Sequence, residues 1–213
     1  MIDGTGSGAG IDNEAGHDGV RIVRGTVRDF QFGVHLFQTS GGRVERISAR
    51  SNMIGLVVAR SADVQLDSVQ ATANVTNGID VTFSERVTVR RSTAAGNGLS
   101  GIVDRFTEAS TYTRNTVTGN SSPGLVLNGS DGVVAQRNHA AANDSDGIEL
   151  TLRRGRGRRP QHRDSEQRQR HRRGSGGQLP DPQPGRRQPG CRHRRPRRDD
   201  RRGTQPRHGQ PRR

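Results

Sequence analysis

The stretch Asn120-Ser121-Ser122-Pro123-Gly124-Leu125-Val126-Leu127 holds the pattern that decides the fold: an asparagine, then a glycine, then an apolar-x-apolar triplet. The glycine recurs at intervals of 22 or 23 residues, and the asparagine keeps the same interval. The two series are Gly33, Gly55, Gly78, Gly101, Gly124 and Gly147, and Asn52, Asn74, Asn97, Asn120 and Asn143. Two independent markers with one period indicate a repeat architecture.

The period suits one turn of a parallel β-coil, because a repeat built from a pair of helices needs about 33 residues or more. Each triplet predicts a short strand whose first and third residues point inward and whose middle residue points outward. Apolar residues at two further positions keep the period, so we predict an all-β coil with three strands per turn. These positions are Val44, Leu66, Val89, Tyr112 and Ala135, then Ala49, Ala71, Ala94, Val117 and Ala140.

The asparagine series is predicted to be structural. Asparagine tolerates the left-handed backbone region and can bond within its own turn, and stacked side-chain amides can bond one another along a coil axis. We therefore expect a ladder of asparagines. The glycine-rich segment 4–10 is not interpreted as a phosphate-binding loop, because no lysine follows it and the chain contains none.

Three segments resemble the right-handed parallel β-helix superfamily, in its carbohydrate-binding and sugar-hydrolase branch: residues 2–6 (Ile-Asp-Gly-Thr-Gly), 19–30 and 114–120. The resemblance covers about residues 2–152. It implies a right-handed parallel β-helix of about six coils and an extracellular or cell-surface location. Relatives include pectate-lyase-like enzymes, alginate lyases and epimerases, phage tailspikes and surface proteins, and the fold alone does not choose among them.

Composition divides the chain into a lead-in coil at 1–18, the β-helix at 19–152 and a tail at 153–213 rich in Arg, Pro and Gly. Residues 1–152 hold 13 arginines against 16 acidic residues, a net charge of −3, whereas the tail holds 22 against 5, a net charge of +17. The tail has only Leu179 and Cys191 as apolar residues. It cannot bury a core, so its composition predicts disorder.

We interpret the tail as the product of a reading-frame error. It uses Arg, Pro, Gly, Gln and His heavily, as GC-rich coding sequence does in a wrong frame. Residues 178–183 (Gln-Leu-Pro-Asp-Pro-Gln) can be encoded by codons that read Asn-Ser-Arg-Ile-Arg-Asn after a shift of one base, which is typical of a further repeat. The alternative is a natural disordered basic tail that binds nucleic acid.

The start of the chain also suggests truncation. Met1 is followed at once by repeat-like sequence, with neither the basic region nor the apolar stretch of a signal peptide. No stretch approaches transmembrane length, so no membrane partner is expected. The single Cys191 excludes a disulfide framework.

Candidate catalytic residues lie on the predicted glycine-led strands. His35 can act as a base, and Asp80 with Arg60 and Arg105 nearby can bind a uronic acid sugar. Two turns, roughly 10 Å, separate His35 from Asp80. Valines interrupt the column between them, and neither a paired-aspartate site nor an epimerase motif is recognisable. The catalytic residues therefore stay unassigned, with Asp80, Asp104 and His35 as candidates.

Asp104 takes an inward position that the other triplets fill with leucine or valine. A buried carboxylate without a partner is costly. We expect the strand to end early, so that Asp104 turns outward. The alternative is a partner such as Arg105 or Tyr112.

A second outward column lies six residues before each asparagine. Three successive guanidinium groups, those of Arg91, Arg114 and Arg137, repel one another unless anions intervene, and a polyanionic glycan would suit them. The whole column is Arg46, Ser68, Arg91, Arg114 and Arg137. No cofactor is predicted, and no metal either, because His17, His35 and His139 lack ligand-like spacing.

These observations predict a truncated, secreted or surface β-helix protein that binds acidic polysaccharide. One alternative is a fragment of a polysaccharide lyase, epimerase or hydrolase, and another is nucleic-acid binding through the tail. An uncapped coil end also predicts end-to-end self-association, because it presents unpaired strand edges.

If the tail is out of frame, one inserted or deleted base near the codons for Thr151 to Arg154 separates the two parts. Restoring the frame is then expected to continue the glycine and asparagine series at about 23 residues. Sequencing the DNA around the gene and reading it in all frames checks this. Confirmation of the present frame would favour a basic tail with salt-dependent binding of nucleic acid.

Overall fold

The computed structural model describes residues 1–151, which form 18 strands joined by turns. In chain order the strands are β1 (Ile2–Asp3), β2 (Ala9–Asn13), β3 (Arg21–Arg28), β4 (Phe32–Phe37), β5 (Arg43–Arg50), β6 (Ile54–Ala59), β7 (Gln65–Asp67), β8 (Gln70–Thr72), β9 (Ile79–Thr82), β10 (Thr88–Arg90), β11 (Thr93–Ala95), β12 (Ile102–Arg105), β13 (Thr111–Thr113), β14 (Thr116–Thr118), β15 (Leu125–Asn128), β16 (Val134–Gln136), β17 (His139–Ala141) and β18 (Ile148–Thr151).

The strands form two parallel sheets, and the predicted parallel β-solenoid is confirmed. One sheet has seven strands in the order β2-β4-β6-β9-β12-β15-β18. The other has eleven strands and bends, since residues 43–45 of β5 pair with β7 while residues 48–50 pair with β8. Each turn of the chain thus contributes one strand to the seven-stranded sheet and two short segments to the bent sheet. The solenoid has about seven turns, one more than predicted, because β2 in the lead-in segment stacks on β4.

The core lies inside the coil and is built from columns of identical register. Ile79, Ile102 and Leu125 stand opposite one another on β9, β12 and β15, and all three are at most 1% exposed. Burial of one such side chain contributes about 1.5–3 kcal/mol. Ile148 on β18 is 40% exposed, because no described strand stacks beyond it. The predicted alanine column is also internal, as Ala94 shows with no exposed surface.

The glycine series reflects a close approach of successive coils. A Cβ atom on Gly78 would lie 2.6 Å from the carbonyl oxygen of Gly101 and 2.8 Å from the side-chain nitrogen of Asn97. Any side chain at this position would force the coils apart, which explains why glycine returns with every turn.

The predicted asparagine ladder is present. Nδ2 of Asn74 donates to Oδ1 of Asn97 at 2.9 Å, and the backbone amide of Asn74 donates to the same oxygen at 3.0 Å. Nδ2 of Asn97 also donates to the carbonyl oxygen of Ala71 in the preceding turn at 3.1 Å. The left-handed conformation at this corner belongs to the residue before each asparagine and not to the asparagine itself. These residues are Ser51, Ala73, Gly96, Gly119 and Ala142.

Ladders at the other two corners of the coil were not predicted. At one, the backbone amide of Ser92 donates to Oδ1 of Asn115 at 3.0 Å. At the other, the backbone amide of Ser61 donates to Oγ of Ser84 at 3.0 Å. Corner amides that point away from the strands are satisfied in this way, as buried backbone groups must be.

Asp104 lies inside the coil, so the expectation that its strand ends early was wrong. It sits on β12 with no exposed surface, and its Oδ1 accepts hydrogen bonds at 2.5 Å from Thr107 Oγ1 and from Ser130 Oγ. Its Oδ2 and the phenol oxygen of Tyr112 are buried, and neither has a hydrogen-bond partner among residues 1–151. Two hydroxyl groups, rather than an arginine, compensate the buried carboxylate.

The disordered tail and its frame error concern residues 153–213, which lie outside the described range. Self-association through coil ends stays a prediction. Residues 1–151 include no helix long and apolar enough to cross a membrane.

The interior position of Tyr112 predicts a loss of stability at alkaline pH. Burial raises the pKa of Tyr112 well above its ordinary value, and the nearby carboxylate of Asp104 raises it further. The folded chain therefore keeps the phenol proton at a pH where the unfolded chain has lost it. This contribution is complete below the ordinary tyrosine pKa of about 10 and is lost above it, by up to about 1.4 kcal/mol per pH unit.

Urea unfolding between about pH 9 and pH 12 measures this loss. The chain has one tyrosine and no lysine, so few other groups titrate in that interval. Tyr112→Phe is expected to flatten the pH dependence. The same slope in the variant would contradict the assignment to Tyr112.

Candidate functional site

The candidate catalytic side chains that face outward stand on the seven-stranded sheet. The strand register places them in a single column, which we call the outer column. Its members are Asp12, His35, Val57, Asp80, Val103, Val126 and Glu149. His35 and Asp80 are two strands apart, as the repeat spacing predicts, with Val57 between them.

His35 has a carboxylate partner that sequence reasoning missed. Its Nδ1 lies 3.0 Å from Oδ1 of Asp12 on the preceding coil. The imidazole packs between Phe32 and Phe37, with ring centroids 5.3 Å and 6.1 Å away. A carboxylate on one ring nitrogen orients the imidazole and leaves the other nitrogen for proton exchange. Gly10 lies 23 residues before Gly33 and would have extended the glycine series to Asp12.

Asp80 is engaged in a different pair. Nη1 of Arg105 donates to its two carboxylate oxygens at 2.9 Å and 3.0 Å, and Nδ2 of Asn77 donates to Oδ2 at 3.1 Å. Asp80 is 7% exposed, although its position faces outward, because these two side chains close over it. Arg60 does not join this group. Its guanidinium lies 5.9 Å from the ring centroid of Phe37.

Asp104 no longer qualifies as a catalytic candidate, because a polysaccharide cannot reach a side chain with no exposed surface. The structure therefore separates the three catalytic candidates. His35 is paired with Asp12 and partly accessible, Asp80 is neutralised by Arg105, and Asp104 is internal.

Two exposed phenylalanines lie at the edge of this face, at the corner that follows the strands. The rings of Phe83 and Phe106 are stacked, with centroids 5.3 Å apart and planes 15° apart, and the residues are 59% and 43% exposed. Both have a left-handed backbone, with φ of 48° and 55°. A side chain in this region costs about 1–2 kcal/mol, and Gly129 fills the same corner one coil later.

We call Arg60, Phe83 and Phe106 the corner ledge. They stand at one repeat position in three successive coils, so neighbouring members are about 4.8 Å apart along the axis. Sequence reasoning found Arg60 but missed both rings. The signal was available, because two of the five phenylalanines of the chain are 23 residues apart. Strained, exposed and stacked aromatic side chains are typical of a functional surface.

The predicted arginine column lies at a different corner, at the bend of the eleven-stranded sheet. All its arginines are exposed and have φ between 51° and 56°. The same bend carries Arg24, which sequence reasoning missed because it precedes the first asparagine of the series. The arginines of the column are Arg24, Arg46, Arg91, Arg114 and Arg137.

One carboxylate lies beside this column. Nε of Arg91 donates to Oδ1 of Asp67 at 3.0 Å, and Nε of Arg90 donates to Oδ2 at 3.0 Å. Burial acts to raise the pKa of Asp67, but hydrogen bonds from Arg91 and Ser68 and the charges of the two arginines outweigh it and lower the pKa. The carboxylate of Asp67 therefore compensates part of the positive charge of Arg91. Arg114 and Arg137 contact no carboxylate within residues 1–151.

A solved structure with a TM-score above 0.5 shares the fold, and a second aligns less well. The A-module of the Azotobacter vinelandii mannuronan C-5 epimerase AlgE4 aligns with a TM-score of 0.52 and 15% identity, over 64% of this chain and 54% of that one. The periplasmic alginate epimerase AlgG, as a T265N T268M double mutant, aligns with a TM-score of 0.46 and 15% identity, over 64% of this chain and 41% of that one. The chain thus spans about half the length of these proteins or less. The likeness to the AlgE4 module shows the fold alone.

No curated protein matches the chain in sequence. A family model does: residues 32–156 match the family described as right handed beta helix region. The match covers more than half of the chain and agrees with the strand register of the solenoid. The chain therefore belongs to the right-handed β-helix family.

Proposed function

We propose that the protein binds an acidic polysaccharide at the corner ledge. The observation that carries the proposal is the stacked and exposed pair Phe83 and Phe106. Nothing in the packing of the coil requires these rings, because Gly129 occupies the equivalent corner without a side chain. Two coils nevertheless hold a phenylalanine there in a strained backbone.

The chemistry of the ledge suits a sugar ring. The face of a pyranose presents C–H groups to an aromatic ring, and the electron-rich face of the ring attracts them. Arg60 stands at the same corner on the coil before Phe83 and can form two parallel hydrogen bonds to a carboxylate. Arg105, whose charge is balanced by Asp80, contributes polar surface rather than net charge.

The comparison with the mannuronan epimerase module is consistent with this class of ligand, since its name specifies a polyuronate substrate. The proposal includes an extracellular or cell-surface location, where polysaccharides of this kind occur. Binding without catalysis accounts for the neutralised Asp80 and the buried Asp104.

Acid–base catalysis by a polysaccharide lyase or epimerase is the second candidate function. The Asp12–His35 pair favours it, because a histidine held by a carboxylate can remove a proton next to a sugar carboxylate. Glycoside hydrolysis is less well supported. It needs two carboxyl groups on either side of the bond that breaks, and Asp80 is already bound by Arg105.

The double variant Phe83→Gly with Phe106→Gly is expected to weaken binding of mannuronate oligosaccharides by at least about fivefold. Its free energy of unfolding should stay within about 1 kcal/mol of the parent, because relief of the left-handed backbone offsets the lost ring contact. Protection of Arg60 from an arginine reagent by the oligosaccharide, read residue by residue on the full chain, and urea unfolding measure the two effects.

Leu99→Ala is the matched control, since Leu99 is 46% exposed on another turn and should leave the affinity unchanged. A double glycine variant with lower stability and full affinity would show that the rings are structural, and it would contradict the ledge.

The enzymatic alternative predicts that His35→Ala lowers turnover of mannuronate oligosaccharides by about 100-fold or more, because His35 would be the base. Lyase action is measured as unsaturated chain ends by absorbance, and epimerisation as the ratio of the two uronates by NMR. His139→Ala is the control on the other sheet. Absence of both products with the unaltered protein would contradict catalysis and leave the binding proposal intact.

A further inference from the structure

We propose that the bend of the eleven-stranded sheet forms a second binding groove, in which a linear polyuronate lies parallel to the solenoid axis. The groove uses the arginine column, and it shares no residue with the corner ledge. The proposal rests on the ligand class of the proposed function but not on its site. An experiment can therefore reject binding at the groove without rejecting binding at the corner ledge, and the reverse.

The groove follows from the geometry of the bend. On β5 the residues before Arg46 pair with β7 and the residues after it pair with β8. The left-handed Arg46 is thus the hinge between two strand directions, and its side chain projects from the corner into solvent. The same hinge recurs in every coil, at steps of about 4.8 Å.

A cavity of about 410 Å³ opens at the first coils of this bend. Hydroxyl and amide groups line it, together with two guanidinium groups, and they can donate to and accept from sugar hydroxyls. The polar lining side chains are those of Arg24, Thr26, Arg46, Ser48, Ser68 and Gln70, and Gly25 and Ile47 complete the lining. Strand register continues the polar wall beyond Gln70 with Thr93 and Thr116, so the groove extends along the solenoid.

The charges along the groove are largely uncompensated. In the described part of the chain, Arg24, Arg46, Arg114 and Arg137 contact no carboxylate, and only Arg91 does. Like charges at about this distance repel by about 1 kcal/mol even in water. Each of these arginines also has a left-handed backbone, which costs about 1–2 kcal/mol. The left-handed backbone recurs at the other corners of the coil, so the repulsion is what distinguishes this column, and a bound polyanion would offset it.

A second feature marks the groove beside Arg114. The hydroxyl of Thr113, on the strand that leads into this hinge, is shielded from solvent and has no hydrogen-bond partner among residues 1–151. It lies one position before the left-handed Arg114 in the same turn. Rotation about the Cα–Cβ bond of Thr113 would turn this hydroxyl outward, where a ligand hydroxyl or carboxylate can supply the missing partner.

The lining favours a polyuronate over a nucleic acid. The hinge column and the two columns that flank it contain no Phe, Tyr or Trp in the described chain, whereas binding of single strands relies on base stacking. A polyuronate carries one carboxylate on each sugar, a repeat comparable with the step between coils. Each guanidinium can then take one carboxylate in a bidentate pair.

Arginine footprinting on the full chain tests the groove despite the basic tail, because it reads each site separately. The protein is treated with a phenylglyoxal reagent with and without mannuronate oligosaccharide, and modified peptides are quantified by mass spectrometry. We expect several-fold slower modification of Arg46, Arg114 and Arg137. The control is Arg50, which is exposed on β5, contacts no carboxylate within residues 1–151 and lies outside the cavity lining.

Four outcomes would overturn the proposal. Equal protection of Arg50 would show attraction by net charge alone, and protection confined to residues 153–213 would assign binding to the tail. Protection of Arg60 without Arg114 and Arg137 would support the ledge and reject the groove. A single-stranded oligonucleotide that protects the three arginines as well as the oligosaccharide does would reject a polyuronate as the ligand.

A pair of double variants gives an independent reading. Arg114→Gln with Arg137→Gln is expected to elute from an immobilised polyuronate at distinctly lower salt than Arg43→Gln with Arg50→Gln, although both remove two charges. The tail is the same in both proteins, so it cancels in the comparison. Equal elution of the two would reject the groove, and near-parent Tm values confirm that both variants are folded.

Discussion

Parallel hydrogen bonding between successive coils is the constraint on which the rest of this structure depends. The amide of Ile79 donates to Gly101 and that of Ile102 to Gly124, each at 2.9 Å, so every coil repeats the register of the one before. Residues 23 apart then stack into columns about 4.8 Å apart. At the corners, where strands stop, the asparagine and serine side chains take over this bonding. Glycine permits the close approach that both kinds of bond need.

Features that follow from the repeat period alone could be predicted from the sequence. Contacts that depend on the length and conformation of individual side chains could not. Strands, inward columns and the asparagine ladder repeat in every coil. A residue assigned in one coil therefore supports the assignment of the equivalent residue in the next coil. The pair Arg105–Asp80 spans 25 residues, and the pair Asp12–His35 spans 23. Each of these contacts occurs in a single pair of coils and does not repeat. The period therefore does not predict whether Asp80 binds Arg105 or Arg60. Asp12 also required recognition of a further coil before Gly33.

Left-handed corner residues explain how a regularly repeating coil presents aromatic and charged side chains on its surface. Glycine suits such positions, and Gly96, Gly119 and Gly129 use it. Where a coil places Phe or Arg at the same corner, the side chain is held by a backbone that has few other conformations, and it points away from the core. Because the corner repeats in every coil, side chains at this position form a row along the solenoid axis. One corner presents aromatic rings and another presents guanidinium groups, which makes two separate surfaces from a single structural device.

The buried Asp104 connects the interior to the ledge. At the corner that follows the strands of the seven-stranded sheet, the serine or threonine hydroxyl donates to the carbonyl oxygen two residues before it. Ser84 does so with Thr82 at 2.9 Å. Thr107 instead donates to Asp104, and Ser130 of the next coil donates to the same oxygen. These bonds span the segment that carries Phe106, and they tie it to the coil on which Gly129 leaves room for the ring. A carboxylate in an apolar column thus fixes the turn that presents the aromatic surface, which explains why an otherwise unfavourable residue stands there.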